Sequence, residues 1–270
     1  MPNAFVRGLI AACLALCASL PLAADPKPLR KDLGATPPDS LMWVGNSFFY
    51  YNNSMHNEYG RLARSVEDKF RPRSVSVTIS GAGIDWHDVA AYLQPSLIGK
   101  YSFVGDNEIR FNKAGRQFDA VILMDCSQCP VHPQLQPVFH DTVKKHAETI
   151  TKYGARPVLF MSWAYKDKPE MIKGLADEYT KAGNANDALV IPAGLAFDRA
   201  VRLRPSVELY VPDKRHPSVA GTYLAAATTY AALRGKSPVG ASYVGTLDPA
   251  LARFLQEVAW DTVQAYFGRP

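Results

Sequence analysis

Five short apolar runs punctuate the chain, at residues 41–44, 75–79, 120–124, 157–161 and 188–191. Each is rich in Val, Ile, Leu or Met, too short for a helix, and not alternating with polar residues. That pattern predicts strands buried on both faces of a parallel sheet. Apolar positions at helical spacing fill about 54–69, 85–97, 137–153, 168–182 and 194–203, and two further helices are read near 217–233 and 248–267. Strand and helix therefore alternate. Parallel neighbours need crossovers, and crossover helices cover both faces of the sheet. The order thus predicts an α/β fold, a three-layer α/β/α sandwich around a mostly parallel five-stranded sheet. Residues 99–116 break the repeat and read as an irregular insertion or a short hairpin.

Residues 1–24 stand apart from this pattern. Arg7 lies near the start, an apolar run follows over 9–22, and Ala23-Ala24 precede Asp25. A positive end, an apolar stretch and a small-residue cleavage site form the order of a secretory leader. The run is too short, and too closely followed by Pro and charge, to predict a spanning helix. The expectation is export to the periplasm or beyond the cell, with no stable membrane insertion once the leader is cut after Ala24. Lipid anchoring through Cys13 is the alternative. Residues 25–40, rich in Pro and charge, read as a linker with no core of its own. That leaves 41–270 as one domain, long enough to bury a large core.

Composition narrows the partners. At 47% hydrophobic and 20% charged residues, the chain is that of an ordinary globular protein. Arg7 is the one charged residue of 1–24, so its removal takes the net charge from +5 to +4. The bases are scattered among acids and form no stripe beside aromatics, so nucleic acid is not an expected partner. Cys13 and Cys17 leave with the leader, and the mature chain keeps Cys126 and Cys129. In an oxidising compartment this pair reads as a loop-closing disulfide. A redox pair or two free thiols are the other readings, although a thioredoxin-like order of elements is missing. The six His residues show no metal-ligand spacing, and His132, His140 and His146 read as lying on a solvated helix or loop. No metal or cofactor is called for.

In an open parallel sheet, ligands gather beyond the carboxyl ends of the strands. Four runs are followed there by residues able to do chemistry: Ser47, then Gly81 and Gly83, then Ser127 and Gln128, then Trp163 and Tyr165. Gly45-Asn46-Ser47 ends the first run before a helix start, where backbone N–H groups favour a developing negative charge. Alone, this is also what a helix cap looks like. Asp213 and His216, three residues apart near the end of the chain, supply what a serine hydroxyl lacks. The carboxylate can hold one imidazole nitrogen while the other faces the serine.

Together these residues resemble the SGNH/GDSL hydrolase superfamily, with its flavodoxin-like sheet. Gly45-Asn46-Ser47 is similar to its first block, and Asp213-Lys214-Arg215-His216-Pro217-Ser218 to its last, Asp-x-x-His-Pro-Ser. No Gly-x-Ser-x-Gly elbow surrounds any serine, which argues against the α/β-hydrolase alternative. The resemblance implies a Ser47, His216, Asp213 triad, with the N–H groups of Ser47 and Gly81 in the oxyanion hole. The family's third block, Gly-x-Asn-Asp, is replaced by Met124-Asp125-Cys126-Ser127-Gln128-Cys129. Cys126 stands near the expected Asn, so Gln128 from a shifted position, or the Ser127 hydroxyl, would have to donate in its place. Asn46, Gly83, Ser127, Trp163 and Tyr165 are the expected substrate-binding positions. Trp43, Trp86, Tyr50 and Tyr51 are further aromatics near strand ends that would stack a sugar or serve as core. The resemblance implies a small-molecule or glycan ester as substrate, an acetyl ester first among them. The competing class is a catalytically silent domain of this fold that binds glycan or a cell-envelope partner.

Overall fold

A computed structural model of the chain describes residues 25–94, 101–106, 108–111 and 116–269. The leader read over 1–24 lies outside the described residues. Among those described, no helix is long and apolar enough to cross a membrane. The apolar runs form the sheet: β1 (Ser40–Gly45), β2 (Arg73–Thr78), β5 (Ala120–Leu123), β6 (Arg156–Phe160) and β7 (Leu189–Ile191). Their order is β2-β1-β5-β6-β7, and every neighbouring pair is parallel. The stretch that breaks the repeat contains a second, antiparallel pair, β3 (Tyr101–Gly105) and β4 (Glu108–Phe111).

Side chains of β1 show how the layers close. Leu41 and Trp43 enter one core with residues of α2 (Met55–Val66), α6 (Ala193–Leu203), α7 (Val219–Arg234) and α8 (Pro249–Phe267). Met42 and Val44 point the other way, into a core with α3 (Val89–Leu93), α4 (Gln136–Lys152) and α5 (Met171–Ala185). Both faces are thus covered, and the fold is a three-layer α/β/α sandwich. A short helix, α1 (Ser47–Tyr50), leaves β1 directly. Helix α7 is buried all round from Ala220 to Leu233, which its Ala-rich sequence permits between α2 and α8.

Two expectations change. β2 is an edge strand with none of its six residues buried and Val75 46% exposed, so it is not enclosed on both faces. Its sequence, Arg-Ser-Val-Ser-Val-Thr, alternates, but the more exposed positions include Val75, so the alternation marks no buried face. The segment 25–40 is fastened to the domain rather than hanging as a linker. Leu33 is buried in the first core, the Arg156 guanidinium donates to the carbonyls of Leu33 and Thr36, and Leu29 N–H donates to Asn184.

The sheet order reverses between β1 and β5, and the crevice at such a switch point is where this architecture binds ligands. One packing contact holds the loop that reaches into it. A Cβ at Gly221 in α7 would stand 2.3 Å from the Leu209 carbonyl oxygen and 3.2 Å from Pro217 Cβ. Ala normally favours a helix over Gly by about 1 kcal/mol. Here Gly221→Ala is expected to lower the thermal unfolding midpoint instead, since overpacking costs roughly 1–3 kcal/mol. A raised midpoint in calorimetry would contradict this close approach.

Candidate active site

The end of β1 is built around Asn46. Its Oδ1 accepts from Phe48 N–H at 3.2 Å, capping α1, while its Nδ2 donates to the carbonyls of Ala82 at 3.0 Å and Asp125 at 3.1 Å. One buried amide thus joins the loops after β1, β2 and β5. Its groups are fully used, so Asn46 is a brace and not a free substrate ligand. Ser47 follows as the first residue of α1, largely buried.

The opposite side is the turn before α7. Asp213 Oδ1 accepts from the N–H groups of Arg215 (2.8 Å) and His216 (2.9 Å), with Lys214 between them at a φ of 66°. Asp213 Oδ2 accepts from His216 Nδ1. An ionised carboxylate only accepts, so Nδ1 carries the proton and Nε2 presents a lone pair. That Nε2 lies 2.7 Å from Ser47 Oγ. Burial pushes the Asp213 carboxyl up, but the His216 ring and the two N–H groups outweigh it and hold it below its ordinary value. The Asp213 side chain is 41% exposed. Water screens such a pair, so its contribution is to orientation more than to stability.

Trp163 is placed differently from expectation. It is fully buried, stacked between Phe48 at 4.8 Å and Phe197 at 4.2 Å, and its Nε1 donates to the Arg215 carbonyl at 2.9 Å. No face is left for a sugar; Trp163 is a post under the His216 turn. Trp43 is likewise core. Tyr165 is buried, its hydroxyl 2.6 Å from Ser127 Oγ and its ring covered by the Arg215 guanidinium at 4.5 Å. These contacts tie the loop after β5 to the His216 turn and occupy both residues. Trp86, at 65% exposure, and Tyr50, at 39%, are the open aromatics of this group.

Gly81 is exposed with a φ of 72°. Among the described residues neither its N–H nor that of Ser47 has a partner. Gly83 is buried and closed to substrate. A Cβ there would stand 2.4 Å from Asp85 Oδ1 and 2.9 Å from Asp125 Oδ1, so a side chain would displace one or both carboxylates. Cys126 and Cys129 are joined in a disulfide. With Asp125 they form the grouping with metal-ligand spacing among the described residues, but joined sulfurs offer no thiolate. Gln128 is exposed, and its carboxamide has no partner among the described residues, so no hydrogen bond ties it to Ser47.

Three buried groups behind the site have no marker in the sequence. His87 Nε2 donates to the Gly45 carbonyl at 2.9 Å, and His146 Nε2 to the Ile84 carbonyl at 3.0 Å. His146 is therefore not on a solvated face; burial pushes both imidazoles below their ordinary value. Asp125, also buried, accepts at Oδ1 from Ile84 N–H (2.9 Å) and Cys126 N–H (2.7 Å). Burial nevertheless pushes its carboxyl up to about 6, and the Asp85 charge adds to the rise.

The chain has the fold of the SGNH/GDSL hydrolases. No protein-family model matches the sequence, and no curated protein does. Solved structures do. A DUF4886 family protein from Bacteroides uniformis is similar at a TM-score of 0.57 and 16% identity, over 86% of this chain and 96% of its own. An acetylxylan esterase from Geobacillus stearothermophilus is similar at 0.52 and 13%, over 72% and 94%. A GDSL-like lipase candidate from Parabacteroides merdae is similar at 0.52 and 15%, over 78% and 100%. At these identities the likeness is one of fold.

Asp125 gives the site a pH signature. Its native value of about 6 lies above the ordinary 3.8, so from about pH 4 to pH 6 the native chain holds a proton that the unfolded chain has lost. Stability falls as pH rises through that window, by an amount on the order of 3 kcal/mol, and stays lowered above it. Asp125→Asn removes this dependence. Urea unfolding at pH 4, 5.5 and 7.5 should show the variant gaining on the wild type as pH rises. A difference independent of pH would contradict a raised carboxyl.

Proposed function

We propose that this protein is an exported serine esterase that hydrolyses short acyl esters, with an acetyl ester on carbohydrate as the leading substrate. The observation that carries the reading is the continuous hydrogen-bonded line from Asp213 through His216 to Ser47 Oγ, whose last link is 2.7 Å. Ser47 Oγ attacks the ester carbonyl carbon while its proton passes to His216 Nε2. The oxyanion accepts from the N–H groups of Ser47 and Gly81. Collapse breaks the carbon–oxygen bond to the alcohol, which leaves with the proton from Nε2, and an acyl ester remains on Ser47. Water then gives a proton to Nε2 and attacks that ester. The acid departs, and Ser47 recovers the proton. Asp213 stays ionised throughout and stabilises the transient imidazolium.

Export rests on the leader-like order of residues 1–24, and the carbohydrate ester on the shared fold of an acetylxylan esterase together with exposed Trp86 and Tyr50. A second reading, a silent domain that binds glycan or an envelope partner, is favoured by the loop after β5. There Cys126 is locked in a disulfide and the Gln128 carboxamide has no partner among the described residues. Loss of one oxyanion donor costs about 10²–10³ in turnover, which leaves a slow enzyme measurable.

Steady-state hydrolysis of p-nitrophenyl acetate and of acetylated polysaccharides separates the readings. The wild type should turn over, and Ser47→Ala and His216→Ala should each lose at least about 10³-fold in kcat. Turnover unchanged in Ser47→Ala would overturn the enzyme reading. Glycan binding without turnover in the wild type would establish the second.

A further inference from the structure

We propose that Tyr51 and Asn52 are positioning residues for His216, so that one short stretch of chain carries the nucleophile and also holds its base. The inference rests on the triad reading above. Three successive carbonyls around His216 are each held by a different element. Arg215 O accepts from Trp163 Nε1, His216 O from Val211 N–H, and Pro217 O from Asn52 Nδ2 at 2.8 Å. Of these three donors, Asn52 belongs to the segment of Ser47. The same Nδ2 donates to Thr222 Oγ1 at 2.8 Å, in the first turn of α7, which fixes the amide plane between turn and helix. Beside it, the Tyr51 ring lies parallel to the His216 imidazole, with centroids 4.2 Å apart and 9° between planes, and Phe48 meets the imidazole edge-on at 5.3 Å.

The backbone marks this stretch as well. Asn52, Asn53 and Ser54 have φ of 53°, 66° and 74°, three consecutive non-glycine residues in a left-handed region that L-residues disfavour. Such conformations persist where surrounding contacts over-determine them. Here the turn delivers the Asn52 amide to the Pro217 carbonyl. During acyl transfer Nε2 takes a proton from Ser47 and returns it to the leaving alcohol, so the ring must keep its place through a change of charge. A displacement of about 1 Å is enough to cost about 10²-fold. The Tyr51 ring face also attracts the imidazolium form.

Asn52→Gly is the informative variant, because Gly accepts the positive φ while removing the amide. With p-nitrophenyl acetate, kcat is expected to fall about 10- to 100-fold with KM within about twofold. The thermal midpoint should be unchanged or higher. Tyr51→Leu should lose a comparable factor, and Tyr51→Phe, which restores the ring face, should recover most of it. The proton NMR signal of the Nδ1 proton between His216 and Asp213 should broaden in Asn52→Gly and in Tyr51→Leu. Wild-type kcat and an unchanged proton signal in Asn52→Gly would overturn the proposal, as would a loss of kcat matched by a fall in the midpoint. A wild type inert towards esters would sink the esterase reading alone, and the proton signal would then decide the positioning role by itself.

Discussion

A single hydrogen bond, from Ser47 Oγ to His216 Nε2, joins points 169 residues apart in sequence, and the local architecture on either side serves to make it. Neither residue could hold the contact alone. Ser47 is fixed because Asn46 ties the ends of β1, β2 and β5 into one knot of buried hydrogen bonds. His216 is fixed because its turn is closed internally by Asp213 and externally by Trp163, Asn52 and the close-packed N-terminal turn of α7. Buried polar groups are costly unless satisfied, so a network of this kind favours one arrangement of the loops over others.

The same constraint explains why the crevice is crowded behind and open in front. Asp125 and His146 hold the N–H and the carbonyl of Ile84 from within, and His87 holds the carbonyl of Gly45. Gly81, Trp86, Tyr50 and Gln128, from the segments that follow β1, β2 and β5, are exposed. Burial disfavours the charged forms of all three groups, pushing the His87 and His146 imidazoles down and the Asp125 carboxyl up. Asp213 instead carries its charge on the wetter side, where water screens it.

Much of the fold was legible in the sequence because a strand buried on both faces leaves an unbroken apolar run, as at 120–124. β2 was misread because nothing within the run 75–79 shows that its strand lies at the edge of the sheet, where Val75 is 46% exposed. Ser47, Asp213 and His216 were legible because their spacing within short motifs reflects local geometry, an Asx-type turn and a strand-to-helix turn. Asn52 and Tyr51 were not, because their partners lie 165 residues away at Pro217 and beyond, and a lone Asn in a turn has many local explanations. Trp163 shows the limit of aromatic residues as a signal. A strand-end Trp can face a ligand or brace a turn, and the Nε1 hydrogen bond to Arg215 decides for the second. The linker reading failed for a similar reason: a polar, Pro-rich segment can still be pinned by one buried Leu33 and one arginine.

The central claim is that His216 makes the Ser47 hydroxyl nucleophilic. The most direct measurement is peptide mass mapping after brief treatment with a fluorophosphonate, which transfers its phosphonyl group to an activated serine. The account expects one adduct per chain, on Ser47, formed rapidly in the wild type and suppressed in His216→Ala. An adduct on another serine, or labelling of Ser47 at the same rate without His216, would contradict it.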